Sequence, residues 1–173
     1  DKSICILDCE LKQEIQLLKG HRMALSDISF SPDGTHMASC GLDKTIRIWG
    51  LESGSEERCM PYEGIAIQSI DHSASGEFIV AGGRDRIIRR INVAALDEIE
   101  EVGRLSSGVE LVRCSASGLV TTICSDRTVR VFNLQELTKP GMVVRYADRK
   151  SVFAICNSSR LSAYVDEDYS VRT

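Results

Sequence analysis

Apolar and polar residues alternate along most of this 173-residue chain, and short turn clusters interrupt the alternation at regular places. Leu25, Ile28 and Phe30 lead into Ser31-Pro32-Asp33-Gly34, a turn in which proline fixes φ and glycine supplies a positive φ. Met37, Ala38 and Cys40 continue to a second turn, Gly41-Leu42-Asp43-Lys44. Thr45-Ile46-Arg47-Ile48-Trp49 follows, rich in the β-branched and aromatic residues that suit a pleated surface. After Glu52-Ser53-Gly54 a weaker segment, Glu56 to Met60, supplies a fourth strand. The pattern predicts four short antiparallel strands in succession. Helical spacing is confined to short stretches such as 94–101, where an outermost strand and its loop are expected.

The same unit recurs. Aspartates that precede short apolar strands stand at Asp1, Asp43, Asp85, Asp126 and Asp168, separated by 42, 42, 41 and 42 residues. The turn glycines Gly34, Gly76 and Gly118 keep the same count, with Arg160 next in line. A fixed period of this length marks stacked supersecondary units. Four strands per period, with both faces packed on neighbours, describe the blade of a β-propeller, so the predicted fold class is all-β.

One period is written in full. Gly20-His21, Ser31-Pro32-Asp33-Gly34, Ser39, Asp43 and Trp49 resemble the WD-repeat β-propeller family over residues 20–49. The rest is a degenerate echo. The second unit keeps Gly76 and Asp85 but has Ala81 where Ser39 stands and Ile91 where Trp49 stands. The third keeps Gly118, Thr122 and Asp126, with Phe132 at the Trp position, and the fourth keeps Asp168. The opening residues Asp1 to Leu7 mirror Asp43 to Trp49. The resemblance implies the end of one blade in 1–19, blades in 20–61, 62–104 and 105–147, and the start of a further blade in 148–173. About four blades' worth is present where the family usually has about seven, so a piece of a longer propeller is expected. The first residue, Asp1, is read as a cut or processed end. Two closures stay open beside that expectation: a four-bladed ring sealed by the third and fourth strands of one end and the first and second of the other, or two chains pairing into a larger ring.

His21, Ser39 and Asp43 together name a hydrolase triad, with Ser39 as nucleophile, His21 as base and Asp43 as orienter. No nucleophile elbow or glycine turn for an oxyanion accompanies Ser39. The resemblance implies instead a buried structural tetrad running from the Trp49 indole N–H to Ser39, His21 and Asp43. No catalytic residue and no enzyme activity are expected. Units without the tetrad are expected to be held by apolar packing alone, because Leu7, Ile91 or Phe132 at the Trp position removes a donor together with the need for its acceptor. Arg90 stands out, since it fills the slot of Ile6, Ile48 and Val131 within Arg84-Asp85-Arg86-Ile87-Ile88-Arg89-Arg90. It reads either as a basic site for an acidic partner, phosphate included, or as a local register shift or an arginine whose stem packs while its head reaches water; the latter pair is preferred. The acidic stretch Asp97, Glu98, Glu100 and Glu101 reads either as neutralising part of that run or, the preferred reading, as a solvated outer edge.

Composition narrows the function further. A net charge of −4 argues against a whole-surface polyanion binder, and nucleic acid is not the expected partner. No apolar run approaches the ~18 residues of a membrane span. The seven cysteines include no paired two-residue spacing of a zinc site, and four of them, Cys40, Cys114, Cys124 and Cys156, sit in strand patterns as small hydrophobes. Cys5 and Cys9 with His21 fall short of the four convergent ligands of a closed zinc site. No metal and no cofactor are expected, and the home is a reducing intracellular compartment, cytoplasmic or nuclear.

By resemblance, partners bind where the blade entry loops and the second-to-third-strand turns surround the channel. The positions concerned are Ala24, Ser26, Ala66, Gln68, Gly108, Glu110, Lys150 and Val152, with Leu42, Arg84, Ser125 and Glu167 before the turn aspartates. Small residues and mixed charges suit a protein or peptide surface. The expected function is a non-enzymatic scaffold that holds protein partners in a multi-subunit assembly. The alternative is the substrate-recognition subunit of an enzyme complex such as a ubiquitin ligase, with catalysis on another chain.

Overall fold

The computed structural model describes residues 2–95, 99–135 and 140–145, together with the strand segments 153–155, 162–165 and 171–172. β1 (Ser3–Asp8) and β2 (Gln13–Lys19) form a two-stranded sheet. Three four-stranded antiparallel sheets follow in chain order. The first holds β3 (Leu25–Phe30), β4 (His36–Gly41), β5 (Thr45–Gly50) and β6 (Ser55–Pro61). The second holds β7 (Ile67–His72), β8 (Phe78–Gly83), β9 (Ile87–Asn92) and β10 (Ile99–Arg104). The third holds β11 (Val109–Cys114), β12 (Leu119–Cys124), β13 (Thr128–Asn133) and β14 (Met142–Arg145). A last sheet pairs β15 (Phe153–Ile155), β16 (Ser162–Val165) and β17 (Val171–Arg172). The fold is all-β, and its full sheets are propeller blades; no helix occurs among the described residues.

Each turn glycine does what the repeat requires: Gly34, Gly76 and Gly118 have φ of +70°, +76° and +76°. The turn aspartates also have a physical reason. The next residues, Lys44, Arg86 and Arg127, are themselves left-handed at φ +60°, +69° and +63°. In each case the aspartate Oδ1 accepts the amide two residues on, from Thr45, Ile87 and Thr128, at 3.2 Å. A short carboxylate closing an Asx turn across a strained residue explains the period of the aspartates.

Side chains on alternate positions go to opposite neighbours. Ala38, Cys40, Ile46 and Ile48 meet Ile67, Ile70, Ile79 and Ile91 between the first two blades. Val80 and Ile88, from the other face of the second blade, meet Val109, Val112, Val120 and Phe132. Met37 and Trp49 close on Ile4 and Leu18 of the two-stranded sheet. The Trp position thus faces the preceding sheet in every blade. Ile91 and Phe132 are fully buried there, whereas Leu7 is 61 % exposed, because no described sheet covers the outer face of β1.

A polar ladder reinforces the innermost strands. Asp27 and Ser29 on β3 accept the amides of Ile70 and His72 on β7 at 3.2 and 3.1 Å. Ser69 and Asp71 on β7 accept those of Val112 and Cys114 on β11 at 3.1 and 2.7 Å. All four links span 43 residues. The next positions in register, Leu111 and Arg113, offer no acceptor.

One expectation from sequence needs correction. The C-terminal segment contains the start of a third strand as well as a first and a second. β17 pairs with β16 through Tyr164–Arg172 and Val165–Val171. That is the edge β1 would need in a ring closed by a two-plus-two blade, so such a closure conflicts with the observed pairing.

Candidate interaction site

The four residues of the expected tetrad meet in the first blade. The Trp49 Nε1–H donates to Ser39 Oγ at 2.8 Å, and Ser39 Oγ lies 2.7 Å from His21 Nε2. His21 Nδ1 lies 2.9 Å from Asp43 Oδ2, which also accepts the Arg22 amide at 2.8 Å. One assignment of protons satisfies every group: His21 donates from Nδ1 to the carboxylate, and the Ser39 hydroxyl donates to Nε2. Burial opposes the charged Asp43, but the Arg22 amide, Thr45 and His21 outweigh it and hold its pKa below the usual carboxylate value. Ser39 is fully buried, with its oxygen on the indole and its proton on His21.

Blades without the tetrad are not held by apolar packing alone, contrary to the sequence expectation. In the second blade the Tyr62 hydroxyl donates to Asp85 at 2.5 Å, and Arg89 reaches the same carboxylate. The Arg89 guanidinium lies 4.5 Å from the centre of the Tyr62 ring, and its side chain is only 2 % exposed. Burial and the Asp85 hydrogen bond raise the Tyr62 pKa. For Asp85, burial is outweighed by Arg89, Tyr62 and the Ile87 amide, which lower its pKa. In the third blade Asp126 takes Thr128 Oγ1 at 2.5 Å and Arg130 at 2.9 Å. In the three full blades the turn aspartate therefore has an arginine four residues on: Arg47, Arg89 and Arg130. This Asp-to-Arg spacing repeats with the period and was the readable signal for a polar centre in every blade.

The arginine run divides among three places. Arg89 is the buried one, which the repeat register missed by singling out Arg90. Arg90 is 27 % exposed, lies 5.1 Å from the Phe78 ring centre and pairs with Glu100 at 2.6 Å. Glu101 lies 3.5 Å from Arg89. These two glutamates stand at an exposed edge and are also counter-ions to the run, so both sequence readings apply to them; Asp97 and Glu98 lie outside the described residues. Arg84 and Arg86 point elsewhere, to the rim of the blade turns, and are exposed.

That rim gathers many of the predicted contact positions. The entry loops and the second-to-third-strand turns share one end of the blades, as shown by Leu42 N on Ala24 O at 2.8 Å and Ser125 N on Gly108 O at 2.9 Å. A cleft of about 630 Å³ is lined by Gln68, Arg84, Arg86, Gly108, Val109, Glu110 and Ser125. Five predicted residues fall together in it: Gln68, Arg84, Gly108, Glu110 and Ser125. Ala24, Ser26, Leu42 and Ala66 lie at the same end, outside this cleft, half-buried or exposed. Lys150, Val152 and Glu167 lie outside the described residues.

Register irregularities explain why the inner-strand positions are available. The innermost strand of each full blade slips by one residue at its start, between Leu25 and Asp27, Ile67 and Ser69, and Val109 and Leu111. The skipped residues are Ser26, Gln68 and Glu110. A bulge takes such a residue out of the ladder and re-aims its side chain.

The opposite end of the first two blades carries a second cleft, of about 880 Å³, lined by Asp33, His36, Glu57, His72, Glu77 and Phe78 among others. His36 Nε2 lies 3.0 Å from Glu57. Burial lowers the His72 pKa, against the pull of Asp71 and Asp33. Of the cysteines, Cys5, Cys9 and Cys59 are exposed, while Cys40, Cys114 and Cys124 are buried. Burial pushes the Cys40 thiol up to about 12, far from a reactive thiolate. Cys156 lies outside the described residues.

Comparison with known proteins agrees with this architecture. The model of the family described as "WD domain, G-beta repeat" matches residues 12–50 and 60–91. The chain is 31 % identical over 87 residues to human WD repeat-containing protein 36, covering 50 % of this chain and 10 % of that protein. It is 24 % identical over 121 residues to the serine-threonine kinase receptor-associated protein of Gallus gallus, covering 69 % of this chain and 34 % of that protein. Over 38 residues it is 53 % identical to a probable cytosolic iron-sulfur protein assembly protein CIAO1 homolog of Ixodes scapularis. The chain thus spans between about a tenth and a third of the length of these relatives.

Proposed function

The chain belongs to the WD-repeat family, and from that premise we propose that it is a non-enzymatic scaffold that holds protein partners in a multi-subunit assembly. The cleft between the second and third blades carries the reading, because it collects Gln68, Arg84, Gly108, Glu110 and Ser125 on a rim supported by rigid sheets. Bulged Gln68 and Glu110 add backbone groups outside the ladder for a partner's main chain. The Ser39-His21-Asp43 set is scaffolding in this account, since its serine is sealed by Trp49. The blades are taken as 20–61, 62–104 and 105–147, flanked by parts of further blades in 1–19 and 148–173 of a larger propeller. Its setting is intracellular, in cytoplasm or nucleus.

A photo-crosslinking amino acid at Ser125, expressed in cells, tests the proposal. A discrete set of cross-linked proteins is expected, absent when the probe stands at exposed Glu52 on the far side of the blade. The same cross-links from both positions, or hydrolase activity lost in a folded Ser39→Ala variant, would overturn it.

A further inference from the structure

We infer that the rim cleft takes an extended, carboxylate-rich segment of a partner protein, a reading that rests on the scaffold function proposed above. The chain as a whole is acidic, at −4, but its charge is unevenly placed. Arg22, Lys44, Arg84 and Arg86 are exposed at this end, against exposed Glu63 and Glu110. At the cleft itself the turn aspartates do not neutralise them, because Asp85 and Asp126 are paired from within by Arg89 and Arg130. Among the described residues no ion pair or side-chain hydrogen bond holds Arg84 or Arg86. The acidic Asp33, Glu57 and Glu77 lie at the opposite end.

The turn geometry places one of these arginines at the cleft. Arg86 lines the cleft at φ +69°, where glycine would sit without strain and a side chain costs about 1 kcal/mol. Lys44 stands in the same conformation one blade earlier. Arg127 does so one blade later, so the strain belongs to the repeat's turn, and what is particular to position 86 is that its guanidinium lines the cleft. Here the turn holds a guanidinium at the mouth of the cleft, where it can meet a carboxylate bidentately. Bulged Gln68 and Glu110 present unladdered backbone to an extended chain, which favours a peptide over a small anion. A nucleic-acid backbone has no N–H or C=O groups to pair with that unladdered main chain, which favours a polypeptide over it as well.

The probe is a fluorescein-labelled peptide of about twelve residues rich in Asp and Glu, with its Asn/Gln counterpart as control, followed by fluorescence anisotropy on the 173-residue chain. The acidic peptide is expected to bind at least about tenfold more tightly than the neutral one, and to weaken as salt rises from about 50 to about 300 mM. Arg84→Ala/Arg86→Ala should lose about tenfold in affinity, while Arg90→Ala, whose partner is Glu100, should not. Arg86→Gly guards against misfolding, because it removes the charge and the strain together; weaker binding at an undiminished melting temperature is expected. Equal affinity for the two peptides, or undiminished binding by the folded arginine variants, would overturn the inference. So would tighter binding of a single-stranded oligonucleotide, or a signal that traces to salt-sensitive self-association of the chain. Cross-linked partners at Ser125 without acidic-peptide binding would sink this inference and leave the scaffold function standing.

Discussion

Ser29 Oγ donates its proton to Asp71 Oδ1 at 2.8 Å while accepting the backbone N–H of His72 at 3.1 Å, so one hydroxyl joins the inner strands of two blades. Asp71 then passes the link on by accepting the Cys114 amide at 2.7 Å. Removing the carboxylate leaves the Cys114 amide without its partner and the Ser29 hydroxyl with only His72 Nδ1, 3.1 Å away, and the more distant Phe30 carbonyl. Asp71→Ala is expected to lower stability by about 1–3 kcal/mol in urea titration. Ser26→Ala, on the same inner strand as Ser29 but in the bulge, should stay within about 0.5 kcal/mol. Equal losses in the two variants would show that the ladder contributes nothing specific.

Trp49 supplies both the largest buried side chain and the donor that fixes Ser39. Trp49→Ala should cost about 3–5 kcal/mol, as large core truncations do. Ser39→Ala keeps the packing but orphans the indole N–H, and a smaller loss of about 1–3 kcal/mol is expected. Chemical-denaturation midpoints equal to that of the parent would refute the tetrad's structural role.

Neighbouring arginines in the second blade should behave oppositely. Arg89 is buried between Asp85 and the Tyr62 ring, so Arg89→Ala leaves the largely buried Asp85 carboxylate with only the Tyr62 hydroxyl and the Ile87 amide and should cost about 3 kcal/mol. Arg90 pairs with an exposed Glu100, and Arg90→Ala should cost no more than about 1 kcal/mol. Thermal melts of the two variants check the order; a reversed order would return Arg90 to the centre of the blade.

The blade pattern was legible because strand alternation and Asx turns are local. Ser31, Asp33, Gly34 and Asp43 state their roles within a few residues. The inner-strand ladder was not legible, because Asp27 and Ile70 lie 43 residues apart and an Asp on a half-exposed strand looks like a solvated one. Arg89 escaped for a related reason. A repeat register that assigns faces by alternation places an arginine outside, and only the carboxylate four residues earlier and the Tyr62 ring make its burial affordable. The rim positions were found by resemblance; the bulges that free Ser26, Gln68 and Glu110 leave no mark in the sequence.

His72 gives the fold a pH dependence. An imidazole titrates near 6.5 when unfolded, and burial sets His72 lower, with Asp71 and Asp33 opposing that shift and His36 adding to it. Between those two values the unfolded chain holds a proton that the folded chain does not. This contribution to stability is therefore intact above pH 6.5 and declines as the pH falls toward the folded value. Asp43, Asp85 and Asp126 are held below 3.8, so their contribution is complete above that pH and is lost as the pH falls through their folded values. Melting temperature should fall between about pH 7 and 5, before the carboxylates respond, and His72→Asn should flatten that fall. An unchanged slope in the variant would assign the pH response elsewhere.

The most direct test of the rim as the working surface is quantitative mass spectrometry of the proteins retained by the wild type and by Arg84→Glu/Arg86→Glu, at matched melting temperature. The account predicts that a discrete set of partners is lost with the charge reversal and kept by Arg90→Glu. An identical set retained by all three proteins would contradict it.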